Sequence, residues 1–103
     1  MNSDQPTGEA PLPVLTLFVA GSAPRSERAR GNLTRMLAHI GRSDLHVHEI
    51  DMLAEPQEGL AYSVFATPTL LKMSATGAID ALYGDLSEPE RLQGFLGDLA
   101  EDS

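Results

Sequence analysis

Past the midpoint of the chain, Ala66-Thr67-Pro68-Thr69-Leu70-Leu71-Lys72 joins a threonine-flanked proline to an apolar run, and no other stretch limits the fold as much. Proline removes a backbone donor and biases the residue before it toward an extended conformation, so Pro68 belongs where a loop becomes a strand. Two conformations fit that place. Only X-Pro bonds reach cis at a cost of roughly 1 kcal/mol or less, which makes Pro68 a candidate cis-proline; a trans proline would instead open an edge strand. Either way residues 69–73 are predicted to be a strand, and the other elements must bring the chain to its entrance.

Residues 14–20 (Val-Leu-Thr-Leu-Phe-Val-Ala) form a continuous apolar run of strand length, the pattern of a central strand covered on both faces. Gly21-Ser22-Ala23-Pro24 breaks it, and Ser22 is placed to cap a helix whose early proline is tolerated in the first turn. Ala29, Leu33, Met36, Leu37 and Ile40 recur at helical spacing, with Gly41 as the stop. Residues 45–51 (Leu-His-Val-His-Glu-Ile-Asp) read as a second strand, joined to the first by a crossover long enough for parallel pairing. A short, weakly specified helix is expected within residues 52–65. Residues 78–83 then form a fourth strand, paired with the third in a hairpin across Ala75-Thr76-Gly77. Gly84-Asp85-Leu86 ends that strand. Ser87 opens the last helix as the cap of a capping box, with Pro89 in the first turn and Glu90 three residues on. Leu92, Phe95, Leu96 and Leu99 give it an apolar stripe.

The order βαβαββα is that of a thioredoxin-like α/β sandwich with a mixed four-stranded sheet, and Pro68 lies where such proteins carry a cis-proline. The chemistry of that fold is absent, however. A redox dithiol would belong in Gly21-Ser22-Ala23-Pro24-Arg25-Ser26, and the chain has no cysteine, which excludes disulfide exchange, thiol catalysis and thiolate metal sites. Ser22 and Ser26 have no evident activating base, so no other nucleophile stands out. His46 and His48 alternate onto one strand face and come close enough to share a metal ion, but two histidines make half a site, and a half-exposed edge strand explains them better. Neither a metal nor a cofactor is expected.

Fifteen acids against seven bases give a net charge of -8, which argues against general affinity for nucleic acid or an anionic membrane. Five of the bases, Arg25, Arg28, Arg30, Arg35 and Arg42, fall in one stretch, either as a surface for an acidic partner or as a solvated helix face. At 103 residues one core is expected. Residues 1–13, rich in proline and polar side chains, read as a disordered tail, 14–100 as the domain and 101–103 as an acidic tail. Residues 1–13 have neither the basic start nor the apolar core of a signal peptide and no run is long enough to span a membrane, so a cytoplasmic protein is expected.

Several motifs then fall in a specific order: Leu17-Phe18-Val19-Ala20-Gly21; Pro24, Ser26, Arg28 and Ala29; Ile50-Asp51 with Leu53 and Pro56-Gln57; Ala66-Thr67-Pro68-Thr69-Leu70 with Lys72; and Gly84-Asp85-Leu86-Ser87 with Glu90. Over residues 15–99 the chain resembles the KaiB family of circadian clock proteins. That resemblance implies a binding protein and not an enzyme, docking on a KaiC-like ring ATPase through the first helix, second strand and neighbouring loops, with Arg28, His48 and Lys72 as partner-facing residues. It also implies a KaiA-type protein or a sensor histidine kinase as further partners, self-association to a dimer or tetramer, and an alternative ground-state fold in which the C-terminal half repacks. Within the family's pattern Pro68, Gly84, Asp85 and Ser87 are structural. Where clock-type members have a proline-rich turn and then basic residues, this chain has Ser74-Ala75-Thr76-Gly77 and then Asp80. An adaptor role in stress response or two-component signalling is the alternative reading.

Overall fold

Every residue of the first strand, β1 (Leu15–Val19), is buried, because strands flank it on both sides and helices or loops cover both faces. The computed structural model describes residues 14–74 and 76–100; the expected tails at 1–13 and 101–103, and Ala75 of the hairpin turn, lie outside them. β1 pairs in parallel with β2 (Val47–Asp51), Leu15 opposite Val47 and Val19 opposite Asp51. It pairs antiparallel with β3 (Thr69–Met73), Leu15 opposite Lys72 and Phe18 opposite Thr69. β4 (Ile79–Tyr83) extends the sheet antiparallel to β3, giving the order β2-β1-β3-β4. Pro68 is buried, the Thr67–Pro68 peptide is cis, and β3 is an inner strand, not the edge strand that a trans proline would have opened.

Strand alternation divides the core into two layers. Leu15, Leu17 and Val19, with Leu70 and Leu82, meet Ala29, Leu33, Leu37 and Ile40 of α1 (Pro24–His39) and its following turn, and Leu92 and Leu96 of the C-terminal segment. Each fully buried leucine contributes about 1.5–3 kcal/mol relative to exposure. On the opposite face Phe18, Ile50, Val64 and Leu71 form a smaller cluster, closed by Tyr62 edge-on to Phe18 at 6.1 Å.

α1 ends as expected at Gly41, whose N–H donates to the Ala38 carbonyl while that of Arg42 donates to Leu37, the paired bonds of a Schellman stop. Its start differs from expectation. Ala23, not Ser22, is the N-cap, and no side chain caps the helix. The Ala23 N–H closes a turn onto the Ala20 carbonyl, which leaves Ser22 exposed at the corner. The hydroxyl put to use is that of Ser26, 1% exposed, which accepts the Ala20 N–H at 3.0 Å.

β2 begins two residues later than expected because Leu45 is tied into the turn after α1, its N–H donating to Arg42. His46 therefore precedes the strand. In α2 (Pro56–Ala61) only Gly59 is buried, and a β-carbon there would collide with Met52 Cε and lie 2.8 Å from the Val64 carbonyl. The glycine that weakens this helix is thus required by packing. The single last helix predicted from the apolar stripe is split into α3 (Pro89–Phe95) and a 3₁₀ turn, Gly97–Leu99, with Leu96 leaving helical geometry between them.

The two sheet edges differ. β2 carries His48, Glu49 and Asp51 along its length. On β4, Ile79, Ala81 and Tyr83 project from the face away from α1 and are exposed, and Asp80 is its one charge.

Candidate partner-binding surface

Four loops converge at one end of the sheet. The Gly84 N–H donates to the Pro68 carbonyl at 3.0 Å, joining the end of β4 to the loop before β3. Gly84 has φ +108°, a conformation that glycine adopts without a steric penalty from a β-carbon. Arg25, in the first turn of α1, lays its guanidinium over the same glycine, with Nη2 3.8 Å from where a β-carbon would be. One oxygen of Asp51 accepts the N–H groups of Gly21 at 3.0 Å and Leu53 at 2.9 Å, so a single carboxylate fixes both the β1–α1 turn and the loop after β2.

Asp85 is the corresponding clasp on the other side. Its carboxylate accepts Arg28 Nε at 3.0 Å and the Ser87 N–H at 3.2 Å, and its carbonyl accepts Asn32 Nδ2 at 2.9 Å. Hydrogen bonding from Ser87, and after it the Arg28 guanidinium, holds this carboxyl below its ordinary pKa. The arrangement corrects the expected capping box. The Asp85–Ser87 bond and a left-handed Leu86 (φ +63°) turn the chain, so the helix starts later, with Glu88 as N-cap and Pro89 first in the helix. No side-chain cap forms, and Glu88 instead pairs with Arg91 at 3.2 Å.

The three expected partner-facing residues do not converge. Arg28 is exposed and turned toward Asp85 after β4. His48 is exposed on β2 at the opposite edge of the sheet, on the face of Ile50 and away from α1. Lys72 is not an exposed charge. Only 8% exposed, it donates from Nζ to the Phe95 carbonyl at 2.6 Å and to Asp98 at 2.7 Å, with the ammonium 5.0 Å from the Phe95 ring centre. Hydrogen bonding from Lys72 is the main cause that lowers the Asp98 pKa. Among the described residues no three His, Cys, Asp or Glu side chains gather as a metal site, and no helix is long and apolar enough to cross a membrane.

No family model matches the sequence. Individual relatives do. The chain is 35% identical over 96 residues to the circadian clock oscillator protein KaiB of Thermostichus vulcanus, covering 86% of this chain and 88% of that one. This chain belongs to the KaiB family. The KaiB of Prochlorococcus marinus strain MIT 9313 is 38% identical over 79 residues, 77% of this chain and 66% of that protein's length. Among solved structures, the N-terminal domain of Synechococcus elongatus SasA superposes with a TM-score of 0.65 at 23% identity, covering 95% of each chain. Mitochondrial thioredoxin 3 of Saccharomyces cerevisiae also gives 0.65, at 19% identity over 82% of this chain and 76% of that one. The fold is therefore thioredoxin-like, and in this KaiB-family chain the turn that precedes α1 has no cysteine.

The fastenings made by Ser26 and Asn32 were missed in the sequence reading. A serine or asparagine on a helix carries no mark of which distant backbone group it will meet. For Asp51 a signal existed: an acid at the end of a strand before a turn commonly accepts a backbone N–H two residues on.

Proposed function

We propose that this chain is a non-enzymatic regulatory protein that binds a KaiC-type ring ATPase in a circadian clock or timer. The observation that carries this reading is its identity of 35% over 86% of its length to a circadian clock oscillator protein. The docking surface is α1, β2 and the loops between them, with Arg28 and His48 contributing from separate patches. Lys72 contributes indirectly, since its ammonium is engaged within the chain. A KaiA-type protein or a sensor histidine kinase is a further partner, the protein acts in the cytoplasm, and repacking of the C-terminal half gives a self-associating dimer or tetramer. Size-exclusion chromatography with light scattering tests this, using the protein alone and mixed with the KaiC-like ATPase of the same organism plus ATP or ADP. Comigration with the ring under either nucleotide is expected. Separate elution under both overturns the proposal.

A second reading, an adaptor for another ATPase or kinase in stress response or two-component signalling, is favoured by one observation. The charge balance is -8, and one of the seven bases, Lys72, is withdrawn from the surface. Deletion that leaves rhythm intact but impairs stress survival would select it.

A further inference from the structure

In a chain with fifteen acids and seven bases, every base should find a carboxylate, and five of them do. Arg28 pairs with Asp85, Arg30 with Glu27 and Glu49, Arg42 with Asp44, Lys72 with Asp98 and Arg91 with Glu88. Among the described residues Arg25 and Arg35 reach none, and both line the same furrow, between α1 and residues 84–93. At one end Arg25 borders a cavity of about 290 Å³ with Gly84, Ser87 and Arg91; the acids there, Asp85 and Glu88, are already held by Arg28 and Arg91. At the other end Arg35 and His39 border a cavity of about 340 Å³ with Met36, Leu86 and Leu92, and no carboxylate lines it. The two cavities share Leu86 and Ser87 in their linings, so they adjoin there.

The furrow is also braced. Asn32 Nδ2 holds the Asp85 carbonyl while its side-chain oxygen accepts Arg35 Nη2, so one amide fixes the spacing of the two walls and orients a guanidinium. Orientation before binding lowers the entropy cost of engaging an anion.

We infer that this furrow binds an extended, acidic segment of a protein partner with two acids four residues apart. Arg25 and Arg35 are ten residues apart on α1, about 15 Å between their backbone positions, with the Arg35 guanidinium turned back over Gly31 and Asn32. The two charges border different cavities, which one small dianion does not fill. An extended chain advances about 3.3 Å per residue and projects residues i, i+2 and i+4 from one face, so acids at i and i+4 stand about 13 Å apart. Their carboxylates meet Arg25 and Arg35, and the residues between them pass over the Leu86–Ser87 segment that borders both cavities. The inference is independent of the ATPase reading, and its test uses no ATPase.

The test is titration of the ¹⁵N-labelled protein with a synthetic peptide containing Glu-x-Leu-x-Glu, read as amide shifts. Shifts confined to residues 25–39 and 84–93 are expected, with affinity falling about three- to tenfold in Arg25→Gln or Arg35→Gln and more steeply in the double variant. Arg30→Gln, which removes a charge on the α1 side facing β2, should change affinity less than about twofold, and 0.5 M salt should weaken binding to the parent. Absence of shifts, shifts on another face, equal affinity for Glu-to-Gln peptides, or unaltered binding by the Arg25 and Arg35 variants would overturn the assignment. Unchanged melting temperatures for the exposed Arg25 and Arg35 substitutions, and a native amide spectrum for Arg30→Gln, confirm that the comparison is between folded proteins.

Discussion

Lys72→Met separates the stem of this side chain from its charge, since methionine preserves the apolar packing and deletes the ammonium. Three contacts disappear: the 2.6 Å bond to the Phe95 carbonyl, the 2.7 Å pair with Asp98, and the ammonium 5.0 Å from the Phe95 ring centre. A hydrogen bond from a charged donor contributes about 1.5–3 kcal/mol. The Asp98 pair contributes less than about 1 kcal/mol, because the acid is 56% exposed. The ring contact adds about 0.5–1 kcal/mol. Against these stands the cost of desolvating an ammonium whose side chain is 10% exposed, which the substitution relieves. Asp98 returns to water, so no buried charge is stranded, and a net loss of about 1–2 kcal/mol is expected. For a domain of this size that lowers the melting temperature by roughly 4–16 °C. Urea unfolding should show a lower midpoint at an unchanged slope. Asp98→Asn should cost less than about 1 kcal/mol, which separates the ion pair from the carbonyl bond. A Lys72→Met protein as stable as the parent, or more so, refutes the claim that this ammonium fastens the C-terminal segment to the sheet.

Gly59→Ala should destabilise by about 1–3 kcal/mol despite alanine's better helix propensity, because its β-carbon meets Met52 Cε and the Val64 carbonyl. Met52→Ala in the same chain should recover only part of that loss, since the carbonyl contact persists; full recovery in denaturation curves would place the strain in Met52 alone. Asp51→Ala, which strands the part-buried N–H of Gly21 and leaves that of Leu53 to water, should cost about 1–2 kcal/mol, and Asp51→Asn, which keeps an acceptor oxygen, clearly less by the same measurement. The carboxyl pKa values of Asp44, Asp85 and Asp98 are lowered in the folded state, chiefly by hydrogen bonds from Arg42, Ser87 and Lys72 respectively. Their contribution is therefore complete above the unfolded value of about 4 and is lost as pH falls through the lowered folded values. Melting temperature should decline below about pH 4, and the Asp98 part of that decline should vanish in Lys72→Met.

What the sequence made legible was set by periodicity. The apolar runs of β1 and β3 and the helical spacing from Ala29 to Ile40 each bury a face at their own period, and with the Thr-Gly turn signal they point to the element order. Element ends were harder to read because they turn on single hydrogen bonds. Ser87 has the composition of a cap, yet Asp85 takes its N–H first; Ser22 has it too, yet the turn closed by Ala23 points it to solvent. Lys72 shows the same limit at the candidate surface. A lone lysine among apolar residues reads as a surface charge, and its burial depends on a carbonyl and an acid 23 and 26 residues away.

The bare flank of β4 has a consequence for how the protein behaves in bulk. A weakly charged edge strand whose outer backbone groups are unpaired in the sheet, and whose face displays Ile79, Ala81 and Tyr83, is a template for further strands. Among the described residues nothing pairs with its outer side, so separation between molecules falls to the fifteen acids, which act as the charge on a colloidal particle does. Ionic strength that shortens the screening length, or a pH near the isoelectric point of about 4.6, removes that barrier while leaving the strand pairing of the sheet in place. Resistance to aggregation here is thus a property of the medium as much as of the fold, and a preparation can be fully native and still lose it.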